Sequence, residues 1–386
     1  MTETTLLNAQ DAPVVIAEWA TAGGARIGVL TLNVPKTLNS LDLAMIDLLD
    51  GQLRRWRDDP RIAAVYLRGT GDRAFCAGGD IQALYRSMSA NHAAGELVDR
   101  YAETFFEHEY RLDHLIHRYP KPVVCHGHGV VMGGGLGLLS ASSHRIVTDT
   151  SRVAMPEITI GLFPDAGGTA LLSSMPGQLG LFLGLSGAQI NGADALATGL
   201  GQYLLAGDQR ASLEDALRAA PFSGDRAQDD AMLDGVLAEL DAASRGQRPD
   251  GKLAPVRDAI DEALGRVDGV YRAAVGAMRG LVGRDPWLDR AVDTLEKGCP
   301  VTAGIVVEQL HRAPALSLAD QFRMEMIIGT HCARNRDFAE GVRALLIDKD
   351  HAPHWSVEGL DALPRKLVDA HFAPPWDHNP LADLVD

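Results

Sequence analysis

The chain has 386 residues, with 36 Lys and Arg against 51 Asp and Glu, a formal charge of −15. Such an acidic balance argues against nucleic acid or an anionic membrane as partner, and no apolar run approaches the roughly 20 residues needed to span a bilayer. Cys76, Cys125, Cys299 and Cys332 share no metal-like spacing, and residues 1–13 read as a polar tail without a secretory apolar stretch, so reduced thiols and a cytoplasmic protein are expected.

In chain order, 27–32 reads as a strand and 39–56 as an amphipathic helix with Leu41, Met45, Ile46, Leu49 and Leu53 on one face. A strand follows at 62–67, then a glycine-rich loop at 69–79 with Asp80 as N-cap of the next helix. The segment 96–118 reads as a helix whose Glu103, Glu107 and Glu109 look at first like a solvated face. Then come a strand at 122–125, the start of a short helix at 134–140, and a strand at 145–148. This alternation predicts an α/β layered core. After 205 the strand candidates vanish, and 228–281, 287–297 and 317–332 read as helical. The predicted organisation is a tail at 1–13, a core at 14–205 and a mostly helical extension at 206–386, with exposed loops at 223–228 and 244–250.

Three motifs carry candidate chemistry. In Ala74-Phe75-Cys76-Ala77-Gly78-Gly79-Asp80, amides at a loop-to-helix junction lack helical acceptors and can donate to an anion or a polarised carbonyl. A glycine turn with an N-cap explains the same residues. Gly127-His128-Gly129-Val130-Val131-Met132-Gly133-Gly134-Gly135 resembles a dinucleotide fingerprint, but two strand–helix units precede it and a glycine triplet ends it. Such a triplet suits close backbone approach to a small group. The third motif, 155–168, places Glu157 and Asp165 eight residues apart in an apolar, Pro- and Gly-punctuated segment. Desolvation there should raise a carboxylate pKa, as proton transfer or nucleophilic attack requires. By themselves, Asp165 reads more simply as an N-cap of the helix after Gly168, and Glu157 equally as the partner of an arginine. His126, His128 and His144 have no metal-site spacing, and no Gly-x-Ser-x-Gly elbow is present.

Taken together and in this order, the motifs resemble the crotonase (enoyl-CoA hydratase/isomerase) superfamily. The resemblance implies a crotonase-type spiral of ββα units and an acyl-CoA substrate. It also implies an oxyanion hole built from the Gly79 and Gly134 amides. A hydratase carries one catalytic glutamate shortly after the glycine triplet, where this chain has Gly137. The second hydratase glutamate matches Glu157, and Asp165 stands where many hydratases have glycine. That pattern resembles the 3-hydroxyisobutyryl-CoA hydrolase family of valine breakdown. The likeness extends to 105–110, where Glu109 matches a substrate-contacting glutamate, and to 337–350 with Pro353 and Trp355.

The resemblance implies that Glu157 attacks the thioester carbonyl or activates a water, while Asp165 orients the acyl group or its 3-hydroxyl. Glu109 would bind that hydroxyl, which removes it, though not Glu103, from the solvated-face reading. Backbone near Leu38 and Ala77 would hold the adenine, with Lys36, Arg68 and Arg73 as counter-charges for the CoA phosphates; ordinary surface charge is the competing reading of those three. No metal or cofactor is expected, CoA being part of the substrate, and a homo-oligomer is possible. An enoyl-CoA hydratase or isomerase, and a non-catalytic acyl-CoA-binding protein, remain as alternatives.

Overall fold

The structure is a computed structural model describing residues 3–386. It resolves into two compact units, each assembled from separated stretches of chain. The first comprises the chain up to Gly79, Leu115–Val153 and Ile190–Gly251. The second comprises Asp80–His114, Ala154–Gln189 and Lys252–Asp386.

The first unit holds both sheets. Strands β1 (Thr4–Leu6), β2 (Val14–Ala20), β3 (Arg26–Leu32), β4 (Ile62–Gly69), β5 (Ala74–Cys76), β6 (Val123–Gly127), β7 (Val130–Met132), β8 (His144–Thr148), β9 (Arg152–Ala154), β10 (Ile190–Asn191) and β11 (Tyr203–Leu205) follow in sequence. The larger sheet runs β1-β2-β3-β4-β6-β8-β11. It is antiparallel at β1–β2 and β2–β3, and parallel from β3 to β11. The smaller runs β10-β9-β7-β5. β2 alternates too weakly to be read from sequence, because Ile16, Ala17 and Trp19 are all buried. β1 lies within the stretch read as a polar tail and pairs with β2, Thr4 opposite Trp19.

The helical segment after 206 is divided between the units: 206–251 goes with the first and 252–386 with the second. The reason is burial. Leu213, Leu217, Leu233 and Leu237 pack into the same core as Ile27, Val29, Tyr66 and Ile146, and a fully buried leucine contributes about 1.5–3 kcal/mol.

The second unit is mostly helical. Its aromatic centre joins the Tyr101–His117 and Leu318–Arg334 helices. Phe106 stacks on Tyr110 with centroids 5.7 Å apart and on Phe338 at 6.5 Å, while Tyr110 meets Phe322 at 6.3 Å. Gly329 makes room for them, since a Cβ there would lie 3.1 Å from the Tyr110 hydroxyl. The solvated-face reading fails for Glu103, which is buried and paired with Arg334 at 2.7 Å.

Candidate active site

In the first unit the two glycine motifs meet because their strands pair in parallel. β5 and β7 share a register with Cys76 opposite Val131, so the chain leaves both strands at the same end of the sheet. Gly79 lies three residues beyond β5, and Gly134 two residues beyond β7. Only glycine fits between them: a Cβ on Gly78, at φ +96°, would stand 3.2 Å from the Met132 carbonyl oxygen, and one on Gly135 would stand 2.4 Å from that of Cys76. Gly134 opens the Gly134–Ala141 helix, and the first helical amides have no intrahelical acceptor. The dinucleotide fingerprint dissolves in this geometry. Gly127 ends β6 and Gly129 precedes β7, so the glycines turn strand into strand rather than strand into helix.

The proposed CoA contacts also fall in this unit. Leu38 takes a left-handed conformation at φ 58°, and its carbonyl accepts the Ala77 N–H at 3.0 Å, so these two are neighbours. Lys36 and Arg73 are exposed and carry no ion pair among the described residues. Arg68 does not share that freedom. It is half-buried over the Trp19 ring at 5.3 Å, bonded to Thr31 and paired with Glu214, a structural ion pair that long-range packing imposes.

In the second unit Glu109, Asp113, Glu157, Asp165 and Glu325 are all buried. Glu157 opens a 3-10 turn, Glu157–Thr159, and among the described residues no arginine pairs with it. Its Oε2 and the Oε1 of Glu109 are buried without a hydrogen-bond partner. Asp165 accepts the Tyr110 hydroxyl at 2.8 Å on Oδ2. Burial, followed by the Asp165 charge, pushes Glu109 and Glu157 well above the ordinary carboxylate range. Burial carries Asp165 to about 7 against the lowering effect of Tyr110.

Asp165 is not the N-cap of the helix after it. Glu325, on the Leu318–Arg334 helix, accepts the Gly167 N–H at 2.9 Å and the Thr169 N–H at 2.8 Å. The C-terminal block that includes Asp337 and Gly341 supports the Glu157 turn through backbone contact. A Cβ on Gly341 would lie 2.4 Å from Ile160 backbone atoms, and one on Gly161 would lie 2.5 Å from the Asp337 carbonyl oxygen.

The sequence model of the enoyl-CoA hydratase/isomerase family matches residues 27–372. The chain belongs to that family. Among its relatives is the mitochondrial 3-hydroxyisobutyryl-CoA hydrolase of Gallus gallus, 33% identical over 91% of this chain and 87% of the relative. The Homo sapiens enzyme of the same name is 32% identical over 89% and 86%. A solved carnitinyl-CoA dehydratase from Mycobacterium thermoresistibile superposes with a TM-score of 0.82 at 35% identity, covering 96% of this chain and 99% of that one. An enoyl-CoA hydratase from Rhodobacter sphaeroides gives 0.79 at 32%, covering 94% and 98%. The family fold is therefore the α/β crotonase fold that the glycine motifs imply.

Within this enoyl-CoA hydratase/isomerase chain, Gly137 is a buried position on the 134–141 helix. Tyr110, Asp113, Gln309 and Glu325 went unrecognised in the sequence. Tyr110 lies within the 105–110 stretch, and Asp113 follows Glu109 at helical spacing, a usable signal; Gln309 and Glu325 sit in largely buried helices, where nothing local in the sequence marks them.

Asp113 is the costliest of the four, because neither carboxylate oxygen has a hydrogen-bond partner. Burial, then the charges of Glu325 and Asp165, raise it well above the usual range. A carboxyl raised on folding favours the folded state below its unfolded pKa and loses that contribution as pH rises through the folded value. Asp113→Asn is therefore expected to be more stable than the parent at alkaline pH, by about 1 kcal/mol or more, with a smaller difference in acid. Denaturation at several pH values tests this; an advantage that shrinks as pH rises would refute it.

Proposed function

We propose that this protein hydrolyses the thioester of short 3-hydroxyacyl-CoAs, with 3-hydroxyisobutyryl-CoA the preferred substrate, giving 3-hydroxyisobutyrate and CoA. The observation that carries the reading is the distribution of carboxyls. Position 137 has none, whereas Glu109, Glu157 and Asp165 share one buried cluster. The relatives named as hydrolases of this substrate, matched over about nine-tenths of the chain, support it.

In this mechanism the Gly79 and Gly134 amides donate to the thioester oxygen and stabilise the oxyanion that forms as the carbonyl is attacked. Ionised Glu157 either bonds to the carbonyl carbon, expelling the CoA thiolate to leave a mixed anhydride that water opens, or removes a proton from the attacking water. Asp165 orients the acyl group, and Glu109 binds its 3-hydroxyl. The Leu38–Ala77 backbone takes the adenine, and Lys36 and Arg73 face the phosphates. The reaction needs no metal or redox group. It would place the protein in valine breakdown. The reading includes a reducing, cytoplasmic setting, which four buried cysteines without disulfides fit, although the vertebrate relatives are named mitochondrial. Among the described residues no helix is long and apolar enough to cross a membrane.

A second reading, hydration or dehydration of an enoyl-CoA, is favoured by what the two solved structures are called. One experiment separates them. Thiol release is measured over 3-hydroxyisobutyryl-, 3-hydroxypropionyl- and crotonyl-CoA, with crotonyl-CoA hydration followed in parallel. Rapid thiol release from the hydroxyacyl thioesters with scant hydration is expected. Hydration of crotonyl-CoA at rates rivalling thioester cleavage would give the second reading its place.

A further inference from the structure

We infer that Glu325 and Gln309 are positioning residues for the proposed hydrolysis, clamping the Pro164–Thr169 turn so that the Asp165 carboxylate is free of capping duty and held toward substrate. The inference rests on Asp165 acting in the reaction proposed above.

The turn cannot hold itself. Ala166 is a buried, non-glycine residue at φ 52° and Gly167 follows at φ 78°, and such backbone persists only when its surroundings over-determine it. The Gly168–Ser173 helix begins with Gly167 at its cap position, where no side chain exists to take the first amides. The natural local candidate is Asp165, and capping would swing its carboxylate into the helix end. Glu325, more than 150 residues away in sequence, takes that role with both oxygens, on Gly167 and Thr169. Gln309, on the Pro300–Arg312 helix, closes the other side. Its Nε2 donates to the Pro164 carbonyl at 2.8 Å and to the Thr169 hydroxyl at 2.7 Å.

Five hydrogen bonds from three helices therefore fix one short turn: two to Glu325, two from Gln309, and one from Tyr110 to the Asp165 carboxylate. Glu325 and Gln309 are fully buried, and Tyr110 is wedged between Phe106 and Phe322. The Asp165 carboxylate enters this set only through Oδ2, which accepts from Tyr110.

The clamp also carries charge. The ionisable groups interacting with Asp165 are Glu109, Tyr110 and Asp113 on the 101–117 helix, Glu157 on its 3-10 turn, and Glu325 and Cys332 on the 318–334 helix. Gln309 is neutral. Removing the Glu325 carboxyl takes a negative charge from beside Asp165 and favours its ionised form, whereas removing Gln309 loosens the turn without that electrostatic change.

The test uses the full chain, 3-hydroxyisobutyryl-CoA, and the variants Glu325→Gln and Gln309→Leu. Gln at 325 retains one acceptor but turns an NH2 toward the second backbone N–H. Each variant is expected to lower kcat by about 10- to 100-fold, the scale of a misplaced catalytic group, with KM nearly unchanged. The acid limb of the pH profile, which belongs to the carboxyl cluster around Asp165, should move to lower pH in Glu325→Gln and stay in place in Gln309→Leu. Amide exchange at Gly167 and Thr169 should quicken in Glu325→Gln, a readout that needs no turnover. Parent-like kcat in both variants, or unchanged exchange at the two amides, would overturn the inference. An inactive parent with quickened exchange in the variant would instead leave the clamp standing and sink the proposed hydrolysis. Should Glu325→Gln fail to fold, Gln309→Leu decides through kcat and KM.

Discussion

Replacing Glu157 by glutamine is expected to cut kcat for 3-hydroxyisobutyryl-CoA by about 100-fold or more, the scale of losing a catalytic base or nucleophile. Glutamine is nearly the same shape, so packing of the buried 3-10 turn is preserved, and the melting temperature should hold or rise because a carboxyl whose ionisation burial opposes has gone. CoA binding should persist. The pH profile adds a second signature. Both routes through Glu157 need its ionised form, and burial with the nearby Asp165 charge holds that form well above the usual carboxylate range. Ionisation increases with pH, so activity should fall on the acid side, starting at a higher pH than the ordinary glutamate value would give. The apparent pKa belongs to the whole cluster, in which Asp165 and Glu325 both lie at about 7. Variant turnover within threefold of the parent would remove Glu157 from the mechanism.

Loss of Glu109 should erase the enzyme's preference for a 3-hydroxyl. In the parent, a substrate lacking that hydroxyl leaves the buried Glu109 carboxyl unsatisfied, at a cost of about 1–3 kcal/mol, so kcat/KM should drop by about 10- to 100-fold. Glu109 suits this role because its Oε1 is buried without a hydrogen-bond partner and burial raises its pKa, favouring the protonated form that can donate as well as accept. In Glu109→Ala the two substrates should be cleaved at similar efficiency. The measurement is kcat/KM for the matched pair, isobutyryl- and 3-hydroxyisobutyryl-CoA, in both proteins. An equal preference in parent and variant would mean that another group reads the hydroxyl.

Much of this was legible in the sequence because its determinants are local. The close approach of Gly78 to Met132 needs a residue without a side chain, and a glycine is visible in any sequence. Asp80 caps its helix through the Gln82 and Ala83 amides, two and three residues away. The 43–58 helix declares itself by the spacing of Met45, Ile46, Leu49 and Leu53. Glu157 and Asp165 stood out because an acid among Pro, Gly and apolar residues is a local anomaly.

Tertiary structure decided what depends on distant partners. Whether Asp165 caps the helix after it turned on Glu325, whose own neighbours in sequence give no hint that it reaches Gly167 and Thr169. Arg68 became structural through Trp19, Thr31 and Glu214, and 206–251 joined the first unit because Leu213 to Leu237 found the sheet's core. The physical reason is the same throughout. Helical periodicity and a cap such as that of Asp80 are settled within a turn or two of chain, whereas burial, pKa and hydrogen-bond partnership, the Glu325 cap included, belong to whichever groups folding brings within a few ångströms.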